Sequence, residues 1–224
     1  LSKQELFLMG GSMTTGNFEE THANILKSGL DAFLEEGYEK ANMRRICKSA
    51  GMTTGAFYKH FTDKEDLFAK LVEPLADKIN EIYNYYEKES FSTYGTEFPV
   101  PKEKILKVLE LKQEGTLKSV EFFYAHKDIF ELLIFKSYGT KYEHFLDKLI
   151  EIEDRNDWSI LEMIHGKENA DSIMTKQSVH IINHAFFNAI SELVVHASDK
   201  EQLLSMAKTM SNFFNAGWEK YRSP

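Results

Sequence analysis

The chain has 224 residues, 42% hydrophobic and 28% charged, and its 27 Lys and Arg against 35 Asp and Glu give a formal charge of −8. This balance supplies enough apolar surface for one or two packed domains and excludes a chain too charged to fold. A single cysteine excludes an internal disulfide and suits a reducing, cytoplasmic setting, and no apolar run approaches the length of a membrane span.

Residues 1–12, LSKQELFLMGGS, open on Leu1 and resemble a leader carried over from an expression vector, so no function is read from them and Met9 or Met13 lies nearer a natural start. A first helix is predicted over residues 21–36, with Thr21 as its cap, Ile25, Gly29, Ala32 and Phe33 along one face, and Gly37 at its end. Residues 42–61, NMRRICKSAGMTTGAFYKHF, then carry Arg44, Arg45, Lys48, Lys59 and His60 with no Asp or Glu. The positive charge is local. Residues 21–70 hold eight Lys or Arg against seven Asp or Glu, whereas residues 71–224 hold eighteen against twenty-five.

Within this basic stretch, Asn42 caps a short helix over residues 43–50, Gly51 takes the left-handed conformation that ends it, and Thr53 caps a second helix reaching about His60. Two short helices joined by a glycine turn form the helix-turn-helix pattern, whose second helix lies in the DNA major groove. Ile46, Ala50, Phe57 and Phe61 recur at helical intervals and face inward. Thr53, Thr54, Gly55, Ala56, Lys59 and His60 face outward. Small residues allow close approach to base edges, and Lys, His and the Tyr58 hydroxyl reach phosphates.

Asp63 caps a long fourth helix that Pro74 interrupts, a residue that removes one backbone hydrogen bond and favours a kink. Residues 90–101, SFSTYGTEFPVP, read as a loop. Helices are predicted over residues 102–124, 127–138, 141–165, 169–197 and 199–221; Gly115 weakens the first of these, and Gly139 and Gly166 mark ends. No strand alternation persists, so the fold class is all-α. Two apolar stripes stand out near the C-terminus: Val179, Ile182, Phe186, Ala189 and Leu193, then Leu203, Ala207, Met210, Phe214, Gly217 and Trp218. Phe122, Phe123, Tyr124, Phe130, Phe135, Tyr138, Phe145 and Trp158 make the middle helices rich in aromatics. His180 and His184 share a helix face, and Glu162 with His165 has the Glu-x-x-His spacing of di-iron bundles, but neither pair comes with the further ligands a metal site needs.

The run from Ile25, Leu26 and Phe33 through Gly37-Tyr38, Ile46-Cys47, Ala50-Gly51, Gly55, Phe57-Tyr58, His60-Phe61, Lys64 and Leu67 resembles the DNA-binding domain of TetR/AcrR-type bacterial transcription regulators. The likeness covers about residues 21–70, and Tyr58-Lys59-His60-Phe61 with Lys64 is its most specific part; Asn42 and Cys47 depart from the usual Thr and Ala while keeping their roles. The resemblance implies a three-helix DNA-binding domain over residues 13–66 and a helical ligand-binding and dimerisation domain over residues 67–224, with the Pro74 helix joining them. It implies a ligand-responsive repressor, not an enzyme, that binds a palindromic operator in double-stranded DNA as a homodimer.

By the same resemblance, Arg44 contacts a base, Thr54, Gly55, Ala56 and Lys59 read or approach bases within the segment from Thr53 to His60, and Asn42, Tyr58, His60 and Lys64 hold phosphates. The final two helices carry the dimer interface, on Val179, Ile182, Phe186, Ala189, Leu193, Leu203, Ala207, Met210, Phe214 and Trp218. A mostly apolar small-molecule effector is expected among Phe123, His126, Phe135, Tyr138, Trp158, His165, His180, Asn183 and His184. No cofactor, metal or membrane partner is implied. The competing reading is a helical-bundle enzyme or metal-binding protein that carries a basic hairpin.

Overall fold

The computed structural model describes residues 16–223, in which ten helices and no strand occur. They are α1 (Gly16–Lys40), α2 (Met43–Ser49), α3 (Thr54–Phe57), α4 (Lys64–Tyr94), α5 (Lys102–Ala125), α6 (Lys127–Phe135), α7 (Phe145–His165), α8 (Ala170–Ile173), α9 (Lys176–His196) and α10 (Lys200–Arg222). The leader over residues 1–12 lies outside the described residues.

Several boundaries differ from expectation: the helix expected over 127–138 ends at Phe135, the one expected over 141–165 starts at Phe145, and four others differ for local reasons. Thr21 lies inside α1, which starts at Gly16 with Glu19 in its first turn, where a carboxylate favours the helix dipole. Gly37 breaks α1 as expected, at φ 76 and ψ 162, and one further turn then runs to Lys40. The long helix α4 continues through Pro74 to Tyr94, so only residues 95–101 remain as loop. Ser90 and Thr93 hydroxyls donate back to the carbonyls of Tyr86 and Glu89, Tyr94 is fully buried, and Gly95 at φ 67 ends the helix. The expected helix over 169–197 is two: Met174 is extended and buried, and the Thr175 side chain accepts from Ser178 N to cap α9.

The described chain forms two compact units. One takes the residues up to Lys78 together with Ala125–His144, and the other takes Ile79–Tyr124 together with the residues from Phe145 onward. In the first unit Ile25, Phe33, Ile46, Phe57, Phe61, Leu67 and Phe68 are buried, and the Phe33 and Phe68 rings meet edge to face at 5.2 Å. Helices α1 and α4 approach closely at Gly29, where an added Cβ would stand 2.8 Å from Leu67 Cδ2. The segment after α6 closes the same unit: Tyr38 N donates to Lys136 O at 3.0 Å and the Tyr142 ring lies beside Phe68.

In the second unit Tyr94, Val100, Ile105, Val108, Leu109, Ile160, Leu161, Ile164, Val179 and Trp218 form one apolar core. An ion network is sealed beside it. Arg222 and Asp157 pair with neither exposed, Lys112 Nζ reaches Asp157 at 2.9 Å and also Glu153, and the Tyr83 hydroxyl donates to Glu153. Burial alone would raise the Asp157 pKa, but Lys112 and Arg222 outweigh it and hold the carboxyl below the ordinary value.

Candidate nucleic-acid interface

The helix-turn-helix is built by its caps. Asn42 Oδ1 accepts from Arg44 N at 2.9 Å and Arg45 N at 3.3 Å, which fixes the first turn of α2. Gly51 at φ 72 turns the chain, and Thr53 Oγ1 accepts from Ala56 N at 3.2 Å to start α3. Regular helix covers only Thr54–Phe57, and turns carry the chain to His60 through Lys59 N→Ala56 O and His60 N→Phe57 O. Ile46, Cys47, Phe57 and Phe61 are buried under the pair. Burial raises the Cys47 pKa, so its thiol is a packing group rather than a nucleophile.

The opposite face points to solvent. Arg44, Lys48, Thr53, Gly55, Tyr58 and Lys59 are exposed, Tyr58 at 60%, while Thr54 and Ala56 are half-buried. Arg44, Lys48 and Lys59 have no side-chain hydrogen bond or ion pair among the described residues. A Cβ added at Gly55 would meet only Thr53 Oγ1, at 4.0 Å, so internal packing does not require the glycine. Its small size instead leaves the backbone open to close approach from outside. Arg45 differs from its neighbour Arg44: its guanidinium spans Glu35 and Glu36 of α1 at 2.5 and 2.6 Å.

Two residues expected on phosphates are turned to internal work. Lys64 Nζ donates to the carbonyls of Tyr38 at 2.7 Å, Glu39 at 3.2 Å and Ala41 at 3.2 Å, and lies 4.3 Å from the Tyr38 ring centroid. An ammonium has three donors, so none is left for a phosphate. His60 is stacked on Phe18 at 4.1 Å and sits 5.7 Å from His22, with its Nδ1 buried and unpartnered. Burial, then His22, lower the His60 pKa, which keeps the ring neutral where a phosphate contact would favour a cation. Phe18, His22, Glu35 and Glu36 were missed as neighbours of the motif because only folding of α1 brings them there.

The expected effector residues are not gathered into one unit. His126, Phe135 and Tyr138 belong to the first, with Phe135 and Tyr138 exposed, whereas Phe123, Trp158, His165, His180, Asn183 and His184 belong to the second. Several of the latter are engaged within the chain. Trp158 Nε1 donates to Glu162 at 2.7 Å, the His165 ring meets Tyr221 O at 2.8 Å, His180 and Asn183 share Asp154 at 2.8 and 3.0 Å, and Asn188 bonds the His184 carbonyl and lies 3.3 Å from its ring. The described residues contain no group of three or more His, Cys, Asp or Glu arranged to hold a metal, and no helix among them is long and apolar enough to cross a membrane.

The dimer stripes are corrected in part. Val179, Leu203, Ala207 and Trp218 are buried within this chain, Val179 and Trp218 in the core of the second unit, because that core already uses the innermost line of each helix. Ile182, Phe186, Ala189, Leu193, Met210 and Phe214 are half-buried, and the Phe186 and Phe214 rings meet at 5.0 Å. Exposed large apolar side chains on these helices include Ile181, Met206 and Phe213, the last at 75%. A helical plot of each stripe, shifted by one position, would have found them.

Residues 25–71 match the family model for bacterial regulatory proteins of the tetR family. The chain is 35% identical over 92 residues to the HTH-type transcriptional regulator AcrR of Shigella flexneri, covering 41% of each protein. It is 40% identical over 58 residues to the HTH-type transcriptional repressor AcnR of Corynebacterium diphtheriae, covering 26% of this chain and 30% of that one. These matches thus span less than half the length of either relative. A TetR-family transcriptional regulator from Bordetella parapertussis, 14% identical, superposes over 88% of this chain and 95% of its own with a TM-score of 0.50, which shows a shared all-α fold. Residues 25–71 thus carry the likeness to bacterial regulatory proteins of the tetR family, and the chain as a whole shares the all-α fold of the Bordetella parapertussis protein.

Proposed function

We propose that this protein is a transcriptional repressor that binds a palindromic operator as a homodimer and is released by a small-molecule effector. The observation that carries the reading is the outward face of α2 and α3. Three cations without protein partners, Arg44, Lys48 and Lys59, flank the small residues Gly55 and Ala56 on a segment with no acidic side chain. Phosphates supply the charge this face lacks, and an open Gly55 backbone admits a groove edge. Arg44 takes the base contact, since a bidentate arginine on guanine is the commonest specific one. Thr53, Thr54, Gly55 and Ala56 approach bases, with Asn42, Tyr58 and the Lys59 ammonium toward the backbone.

Dimerisation draws support from Ile181, Met206 and Phe213, large apolar side chains exposed on α9 and α10. Covering them against the same face of a second copy removes them from water and presents two recognition helices to two half-sites about one DNA turn apart. The names of the relatives support a regulatory role, repression in the case of AcnR. The effector is assigned to the second unit, where Asp157 Oδ2 and Arg222 Nε, buried beside the apolar core, lack partners among the described residues and offer polar anchoring.

Selection of duplexes from a random pool by the purified protein at about 0.15 M salt tests the reading. A recovered palindrome with two spaced half-sites is the expected result. Weak binding without sequence preference that vanishes with added salt would overturn it.

A further inference from the structure

We infer that Lys64 is a positioning residue for DNA recognition, which holds the junction between α1 and α2 against the start of α4 and so sets where the helix-turn-helix stands. This inference rests on the DNA-binding reading. The geometry behind it is local to the first unit. After the break at Gly37, the last turn of α1 leaves carbonyls without helical partners, and a helix C-terminus carries partial negative charge. The carbonyls of Tyr38, Glu39 and Ala41 converge on one ammonium, which comes from the first residue of α4.

The consequence reaches the recognition surface in two covalent steps. Ala41, 5% exposed, is followed by Asn42, and Asn42 caps α2 through Arg44 N and Arg45 N. A shift of the Ala41 carbonyl therefore displaces the cap, the first turn of α2 and the Arg44 side chain that projects from it. The Lys64 ammonium also lies over the Tyr38 ring, and the Tyr38 backbone N donates to Lys136 O. The start of α4 is fixed independently by reciprocal bonds, Asp66 N to Asp63 Oδ1 at 2.8 Å and Thr62 N to Asp66 Oδ2 at 2.9 Å. Lys64 thus connects a rigid helix start to three carbonyls of the junction, which Tyr38 N to Lys136 O and the Arg45 pairs with Glu35 and Glu36 brace at other points.

A positioning lysine and a phosphate-binding lysine are separable by salt. Removing a phosphate contact lowers the slope of log K against log salt, whereas displacing the reading surface lowers affinity at every salt concentration with the slope kept. They also differ toward arginine, which retains charge but presents a planar fork that cannot point three donors at three convergent carbonyls.

The experiment measures binding of a selected operator duplex by fluorescence anisotropy from about 0.05 to 0.3 M salt for the full chain, Lys64→Met, Lys64→Arg and, as a contact control, Lys59→Met. Both Lys64 variants are expected to lose roughly tenfold or more in affinity, the scale of charge-assisted hydrogen bonds, with lines parallel to the unchanged protein, while Lys59→Met flattens the slope. Amide exchange at Arg44 and Arg45 gives a reading without DNA, and both amides are expected to exchange faster in Lys64→Arg, a variant that keeps the charge. Wild-type affinity in Lys64→Arg, a slope in Lys64→Met flattened as in Lys59→Met, or unchanged exchange at Arg44 and Arg45 would overturn the inference. Absence of any selected operator would count against the DNA-binding reading, and the exchange measurement would still decide whether Lys64 holds the cap.

Discussion

The two compact units place their charges in opposite ways. On α2 and α3 of the first, Arg44, Lys48 and Lys59 stand exposed without a protein partner. In the second, Lys112, Glu153, Asp157 and Arg222 are drawn into one network, with Arg222 and Asp157 fully buried. A buried charge needs its counter-charge for the fold to stand, whereas an exposed cation without a partner contributes little to folding and remains available to a ligand. The first arrangement leaves cations free for the DNA contact proposed above, and the second ties distant parts of its own unit together.

The largest effect is expected in the second unit. Arg222→Ala leaves Asp157 buried with Lys112 as its main counter-charge, and we expect a loss of about 3–5 kcal/mol, read by urea denaturation of the full chain. Replacement of both partners by apolar residues of similar volume, Arg222→Met with Asp157→Leu, should recover most of that loss. A loss under about 1 kcal/mol in Arg222→Ala would place this pair with ordinary surface ion pairs.

On the side proposed to face DNA, Arg44→Ala should cost about 1–3 kcal/mol of operator binding and leave folding stability unchanged within about 0.5 kcal/mol. Lys59→Ala should weaken operator and unrelated duplexes alike and lower the salt slope by about one per subunit. Preserved discrimination together with a preserved slope in Lys59→Ala would remove Lys59 from the interface.

A smaller effect follows from the rings beneath the motif. Burial lowers the His22 and His60 pKa below the ordinary 6.5, opposed by Glu19 in both cases and by Asp66 at His22, and reinforced by Lys70 at His22 and by Lys59 at His60. The unfolded chain therefore binds more protons as pH falls below about 6.5. Their contribution to stability is complete above that pH and is lost as pH drops toward the folded values. The urea midpoint should fall between pH 7.5 and 5.5, and His22→Leu with His60→Phe should shrink that fall; an equal fall in the double variant would assign the pH dependence to other groups. The smallest effect belongs to Arg45, whose pairs with Glu35 and Glu36 are half-exposed, so Arg45→Ala should change stability by less than about 1 kcal/mol.

The recognition motif was legible in sequence because its determinants are local. Asn42, Gly51 and Thr53 act within three residues of themselves, and the inward set of Ile46, Phe57 and Phe61 follows from helical spacing. What sequence left open depends on contacts distant in the chain. Lys64 and His60 have the residue types of phosphate ligands, and only the return of α1 beside them shows that Tyr38, Glu39 and Ala41 carbonyls, or the Phe18 and His22 rings, occupy them. The stripes on α9 and α10 were visible as periodicity, but periodicity does not separate a line turned to the chain's own core, such as Val179 and Trp218, from one turned outward, such as Phe213. The early end assigned to α4 failed because Ser90 and Thr93, residues that favour loops, are held in the helix by bonds to their own preceding turn.

Adjacent arginines in one turn of α2 offer the most direct test, since Arg44 is exposed without a partner and Arg45 is tied to Glu35 and Glu36. The measurement is the affinity of the full chain, Arg44→Ala and Arg45→Ala for every single-base variant of the selected operator. The account predicts that Arg44→Ala loses discrimination at one base pair in each half-site while Arg45→Ala keeps the whole profile. Equal and uniform losses in both variants would contradict it, and would reduce the outward face of α2 and α3 to a basic surface without sequence readout.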